Sequence, residues 1–193
     1  WQDPDAGMWE ENEELHASSV GAVVAGLKQV AKFAYLKMPT DLIQRGEEAL
    51  NKLLPRESRG KFADLAQLSL IWPYSVVTPA QAAEILKYIE YHLEKSRGVI
   101  RYKTDKYYNK NEDGWSEEAE WTFGFPWLAL IYHERGERLR AEEYLAKAEA
   151  VLTPEGKMPE LYFSNSDQPN DNTPLAWAQS LLVVAKVKLL ADN

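Results

Sequence analysis

Prolines and glycines fence nearly every apolar-periodic stretch of this chain, and the fencing confines it to short helices packed against one another. The first helical stretch, 16–36, spaces Val20, Val23, Val24, Leu27, Val30 and Phe33 at helical intervals and stops at Met38-Pro39-Thr40. Proline ends it because it has no amide hydrogen and its ring collides with the preceding turn. Ser18, Ser19, Gly21, Ala22, Ala25 and Gly26 let neighbouring backbones come close, so a buried inner helix is expected. A second helix over 41–54, capped by Thr40 or Asp41, stops at Pro55. Leu65, Leu68 and Ile71 predict a short third helix ended by Trp72-Pro73. A fourth spans 78–95, with Thr78 as N-cap, Pro79 at the first helical position and an apolar stripe of Ile85, Leu86, Ile89 and Leu93. Helices over 117–135 and 138–152 meet across Gly136, and a last one over 173–191 opens at Thr173-Pro174.

That makes seven helices and no strand of any length. Long polar connections at 97–116 and 153–172 alternate with short ones. Helix pairs with long loops on one side fit an α/α toroid or a helical solenoid. A solenoid would show a repeat of fixed period, and none is evident. No low-complexity linker divides the 193 residues, so one all-α domain over 1–193 is expected.

Charge narrows the function. The formal net charge is −8, which argues against nucleic acid and against anionic membranes, because both demand a basic face to displace counterions. A neutral sugar is compatible with it. The absence of cysteine excludes disulfides and thiolate catalysis. No apolar run reaches membrane-spanning length and no signal-peptide pattern opens the chain, so a cytoplasmic location is expected.

Two carboxylates stand out. Glu10 lies in Gly7-Met8-Trp9-Glu10-Glu11-Asn12, just ahead of the first helix, and Glu160 in Met158-Pro159-Glu160-Leu161-Tyr162, ahead of the last. Both are flanked by aromatics. A glycosidase needs one carboxyl to protonate the leaving oxygen and another to stay ionised; in inverting enzymes the pair lies roughly 6.5–9.5 Å apart, leaving room for water. Apolar neighbours favour the protonated form and polar ones the charged form. Trp9 suits Glu10 to the acid role, and the wet loop Ser164-Asn165-Ser166-Asp167-Gln168-Pro169-Asn170-Asp171-Asn172 suits Glu160 to the base. Seven tryptophans and ten tyrosines supply flat faces on which sugar rings can stack.

The motifs go further than the spacing. Trp9-Glu10-Glu11-Asn12 before a small-residue helix resembles the general-acid segment of glycoside hydrolase family 15, the glucoamylase and glucodextranase family. Glu120-Trp121-Thr122-Phe123-Gly124-Phe125-Pro126-Trp127 resembles its aromatic stretch along the sugar site. Met158-Pro159-Glu160 followed by Thr173-Pro174-Leu175-Ala176-Trp177-Ala178 resembles its catalytic-base segment and return helix. Asp5-Ala6-Gly7-Met8-Trp9-Glu10, Glu14-Leu15-His16-Ala17-Ser18-Ser19-Val20-Gly21, Leu53-Leu54-Pro55-Arg56 and Pro159-Glu160-Leu161-Tyr162 look like the related domain of the regulatory α and β subunits of phosphorylase kinase. The resemblance implies an (α/α)6 toroid of which this chain is the second part, helices six to twelve. It implies Glu10 as general acid, Glu160 as base, and Trp9, Glu11, Arg101, Tyr102, Trp121 and Trp127 as substrate-binding residues. The implied activity is inverting exo-hydrolysis of α-glucosides or α-glucans, with no cofactor and no metal. The missing barrel portion, or self-association, is the expected partner beside the oligosaccharide or glucan substrate. The alternatives are a non-catalytic carbohydrate-sensing domain like the kinase subunits, suggested by Leu161 where bacterial glucoamylases usually carry Gln, and a helical scaffold.

Other constellations carry less. Residues 109–120 nearly fit a calcium loop, with Asn109 in place of the first Asp. His16, His92 and His133 have no metal spacing with one another. Residues 135–148 resemble a tetratricopeptide hairpin locally.

Overall fold

The chain follows its proline punctuation through the computed structural model, which describes residues 1–33, 35, 39, 41–109 and 117–191. It divides into two units, Trp1–Tyr88 and Ile89–Asn193. Among the described residues there are seven α-helices, one 3-10 turn and two strands of two residues each. None of these helices is long and apolar enough to cross a membrane.

In the first unit, α1 (Ala17–Val30) buries Ala17, Ser18, Val20, Gly21 and Val24. A Cβ on Gly21 would stand 2.1 Å from the side chain of Leu70, which is wholly buried, so the bare glycine lets α1 and the 68–71 turn approach. The small-residue face is narrower than expected. Gly26 meets nothing within 4 Å, and Val23 and Val30 face outward. α2 (Leu42–Leu53) packs on α1 and places Gly46 against Trp1 and Val24. Asp41 occupies its N-cap position without a side-chain cap; its carboxylate pairs with Arg45 at 3.5 Å instead. The predicted third helix is a 3-10 turn, Leu65–Gln67, running into α3 (Leu68–Ile71). Asp64 opens it with a reciprocal capping box: its side chain accepts from the turn, and Gln67 accepts from the Asp64 amide at 3.1 Å. α4 (Pro79–His92) starts as read, with Thr78 and Gln81 exchanging hydrogen bonds.

The second unit is organised by α5 (Gly124–Glu134), every residue of which from Gly124 to Tyr132 is buried. It packs against both α6 (Arg138–Ala150) and α7 (Ala176–Ala191). Gly136 turns the α5–α6 corner at φ +74°. The stacked rings of Tyr132 and Tyr144, 5.5 Å apart, lie under the Arg140 guanidinium, and their hydroxyls go to Glu90 and Glu94. α7 is apolar on two sides: Leu181, Leu182, Ala185 and Leu189 pack inward, while Val183, Val184, Val187 and Leu190 face outward.

Helix α5 begins seven residues later than the pattern predicts, because Glu120–Trp121 (β1) pair antiparallel with Leu161–Tyr162 (β2). Val99 extends this patch by bridging Trp121. The join is close: a Cβ on Gly98 would fall 2.6 Å from the Trp121 carbonyl oxygen and 2.7 Å from the Glu120 carbonyl carbon. Backbone cannot swing aside as a side chain can. Gly98→Ala is therefore expected to lower stability towards the upper end of the about 1–3 kcal/mol typical of overpacking, read as a lower urea midpoint at unchanged m-value.

Candidate active site

In the first unit the Trp9-Glu10-Glu11 segment is a loop closed at its base by paired backbone hydrogen bonds, Asp5 N–H to Glu14 O and Glu14 N–H to Asp5 O, both 3.0 Å. Asp5 Oδ1 accepts from the Gly7 amide at 2.6 Å and from Ser19 Oγ at 2.8 Å, tying the loop to α1. Gly7 takes φ +67° with its Cα against the His16 ring, where a Cβ would meet the imidazole at 2.9 Å. Glu10 takes φ +54°, a left-handed conformation unusual for a residue with a side chain. Its carboxylate stands at the surface. The desolvated carboxyl beside Trp9 is instead Asp64, whose Oδ1 accepts the Trp9 indole N–H at 2.8 Å. Glu11 faces Lys61, Oε2 to Nζ 3.9 Å, and Lys61 in turn faces Asp64 Oδ2 at 3.6 Å.

Hydrogen bonds from Ser58 and from the Gly60 amide hold the Glu14 carboxyl below its ordinary range. Glu57, buried, accepts from Ser18 Oγ at 2.6 Å and lies 3.4 Å from His16 Nδ1, which raises the imidazole above its usual value.

In the second unit the two-strand patch fixes Glu160. The Glu160 carbonyl accepts from the Thr122 amide at 3.2 Å, and its own amide donates to Asn172 O at 3.0 Å. The side chain is held at one oxygen only: Oε2 accepts from Asn170 Nδ2 at 2.6 Å and from Asn172 Nδ2 at 2.7 Å. Among the described residues Oε1 accepts nothing. Glu120, buried on β1 opposite Tyr162, is a framework residue. It accepts from the Arg97 amide at 2.7 Å and the Asn165 amide at 3.1 Å, clamping both loops to the patch.

The aromatic surroundings follow from the same patch. Tyr107 stacks on Trp121 at 6.2 Å and 16°, and Tyr108 meets Tyr107 edge-on at 4.6 Å and Phe163 at 6.2 Å. Tyr107 is half exposed. Burial first, then the neighbouring Tyr107 and the Glu160 carboxylate, push the Tyr108 hydroxyl up. Arg101 lies 4.7 Å from the Trp121 ring, 5.1 Å from Tyr107 and 5.8 Å from Tyr102. Its guanidinium is 4% exposed and grips buried Asp105 with two 2.7 Å hydrogen bonds. Trp121 is buried, and among the described residues its Nε1 has no hydrogen-bond partner. Trp127 is buried in α5 beside Phe123 and Trp177; Trp177, 41% exposed and stacked on Phe123 at 4.4 Å, is the accessible ring of that cluster.

The sequence places Trp9, Glu10 and Glu11 in one loop, and the resemblance implies Arg101, Tyr102, Trp121 and Trp127 as substrate-binding residues. Neither singles out Asp64, Asp105, Tyr107, Tyr108 or the two asparagines that hold Glu160. A Tyr-Tyr pair in an irregular polar stretch was the available signal for the tyrosines. Residues 110–116 of the calcium-loop reading lie outside the described residues, and among the described ones no His, Cys, Asp and Glu group could hold a metal.

The model of the family described as glycosyl hydrolases family 15 matches residues 1–191. The probable phosphorylase b kinase regulatory subunit alpha of Caenorhabditis elegans is 28% identical over 95% of this chain, which spans 19% of that protein. A wild-type glycosidase of known structure superposes with a TM-score of 0.81 at 20% identity, covering 98% of this chain and 56% of its own. A bacterial glucoamylase complexed with acarbose superposes at a TM-score of 0.72 and 18% identity, covering 95% and 34%. The fold is thus all-α, of the glucoamylase toroid type.

Proposed function

The chain belongs to glycosyl hydrolases family 15, and from that membership we propose that residues 1–193 form one segment of an α/α toroid that cleaves α-glucosidic bonds with inversion, Glu10 as general acid and Glu160 as general base. What carries this reading is the one-sided anchoring of Glu160. Two amide donors take Oε2, and Oε1 is left for the water that a base must activate. Glu10 is exposed, on a left-handed residue whose loop is closed at its base, so its carboxyl can reach a leaving oxygen; the desolvation a general acid needs would come from the rest of the toroid and the bound sugar. Tyr107 and Tyr108 supply faces for a sugar ring, and the unpartnered Trp121 Nε1 is a donor that a substrate hydroxyl would satisfy. Arg101 and Tyr102 back that wall, Trp9 and Glu11 flank the acid, and Trp127 supports the cluster that displays Trp177.

The chain spans about half the length of the wild-type glycosidase, a third of the glucoamylase and a fifth of the kinase subunit that it matches. The outward face of α7, with Val183, Val184, Val187 and Leu190, is one that the rest of the toroid would cover, or a second copy in its absence.

A second reading has a specific observation behind it. The curated relatives are regulatory subunits, and Leu161 after the proposed base is buried in β2. In that reading the domain senses a glucan without cleaving it. A maltooligosaccharide assay on the full-length protein separates the two. Hydrolysis should release glucose whose anomeric configuration, followed by NMR, is inverted to β. Saturable oligosaccharide binding with no glucose released would replace hydrolysis by sensing.

A further inference from the structure

The Glu10 loop is fastened at its base but has to be fixed at its tip as well. The paired Asp5–Glu14 hydrogen bonds close the base, and within the loop the Glu10 amide donates to Gly7 O at 3.3 Å and the Glu11 amide to Ala6 O at 3.0 Å. These bonds are local. A long-range tie is the Trp9 indole, which reaches 55 residues along the chain to Asp64. We propose that Asp64 is a positioning residue for this loop, holding Trp9 by its indole N–H and, with Lys61, setting where Glu10 and Glu11 stand. The proposal rests on the reading of Glu10 as general acid, and Asp64 acts only through Trp9 and Lys61.

The geometry goes beyond a helix cap. Asp64 Oδ1 accepts twice, from the Ala66 amide and from the Trp9 indole, each at 2.8 Å. Capping the 3-10 turn needs the first of these only. Oδ2 is buried and accepts no hydrogen bond among the described residues; Lys61 Nζ stands 3.6 Å from it, just outside hydrogen-bonding reach, and 3.9 Å from Glu11 Oε2 on the other side. Lys61 is thereby shared between the buried carboxyl and the loop. A capping residue with no further duty would turn its second oxygen to water, whereas this one spends a buried oxygen on the lysine that faces Glu11.

The charge on Asp64 can then govern the loop. Facing it are Lys61 and Glu57, with His16 behind Glu57 and Glu11 beyond Lys61. Burial, then the Glu57 carboxylate, raise its carboxyl to about 7, against the pull of Lys61, the Ala66 amide and the Trp9 indole. Protonation near neutrality weakens the acceptor for the indole and removes the attraction for Lys61, so both ties to the loop loosen together.

The test uses the indole N–H resonances of the 15N-labelled full-length protein. The Trp9 signal is identified by its loss in Trp9→Phe and followed from pH 5 to 9. In the wild type it should move as Asp64 titrates, at a pH above the ordinary carboxylate range; in Asp64→Asn, which keeps a capping oxygen and removes the charge, that movement should be lost. On maltooligosaccharides, Asp64→Asn should lower kcat about tenfold or more with KM little changed, Trp9→Phe should lower kcat at least as far, and the double variant should have a kcat no lower than the worse single. A Trp9 resonance that does not titrate in the wild type, or that titrates alike in Asp64→Asn, overturns the proposal. Additive losses in the double variant overturn it too. Full turnover in Glu10→Gln would remove Glu10 from the general-acid role while leaving the resonance titration standing, so the two failures are distinct.

Discussion

Glu160→Gln is expected to lower kcat by about three orders of magnitude, within the 10²–10⁴-fold range of a lost general base, and to leave oligosaccharide binding near its wild-type value. The hydrogen bonds at Glu160 dictate this split. Asn170 and Asn172 both donate to Oε2 and to nothing else on the side chain. A glutamine can turn its amide oxygen to those two donors and keep the backbone ties to Thr122 and Asn172. Its Nε2 then occupies the place of Oε1, where it can donate to a water but cannot take a proton from one. The geometry survives and the chemistry does not. Steady-state kinetics on maltooligosaccharides give kcat, and calorimetric titration with the same sugars gives binding. A kcat within tenfold of wild type would remove Glu160 from the base role. A loss of binding equal to the loss of turnover would make it a sugar ligand only. Replacing Asn170 and Asn172 by Ala should reproduce part of the kcat loss, because the freed carboxylate can then rotate away from the water it is meant to activate.

The contrast between residues legible in the sequence and those found only in the fold has a physical cause. Helix ends were legible where a single residue type enforces them: Pro55, Trp72-Pro73, Thr78 with Pro79, and Gly136 all mark observed boundaries. The start of α5 was not, because β1 and β2 are two residues long and no alternation of period two can be detected in two residues. Local motifs announced the loops of Glu10 and Glu160. The groups that hold those loops did not announce themselves: Asp64 meets Trp9 across 55 positions, and Glu120 meets Arg97 and Asn165 across 23 and 45. An aspartate before Leu65 looks in sequence like any helix cap, and only the fold shows that its carboxylate also receives an indole.

Arg101→Ala is expected to destabilise the chain by about 3–5 kcal/mol, the range for breaking one side of a buried ion pair. That is a large share of the roughly 5–15 kcal/mol typical of a folded domain. The loss comes less from the attraction surrendered than from Asp105, which is 1% exposed and would be left, among the described residues, with no counter-charge for its two oxygens. Arg101→Lys should recover little, since an ammonium cannot make the bidentate fork or lie flat over Trp121 and Tyr107. Arg101→Met combined with Asp105→Leu should recover more than the lysine does, because it removes both buried charges and keeps volume against the aromatic rings. Urea unfolding of the four proteins ranks these cases. The resemblance implies an arginine that touches substrate, whereas the contacts of this guanidinium point to a framework that steadies the sugar-facing rings. If Arg101→Ala unfolds at the wild-type urea midpoint but raises KM, the guanidinium meets the sugar directly. If stability falls as expected and the Met–Leu pair restores both the midpoint and KM, the arginine acts through Trp121 and Tyr107, and the charge itself is dispensable for recognition.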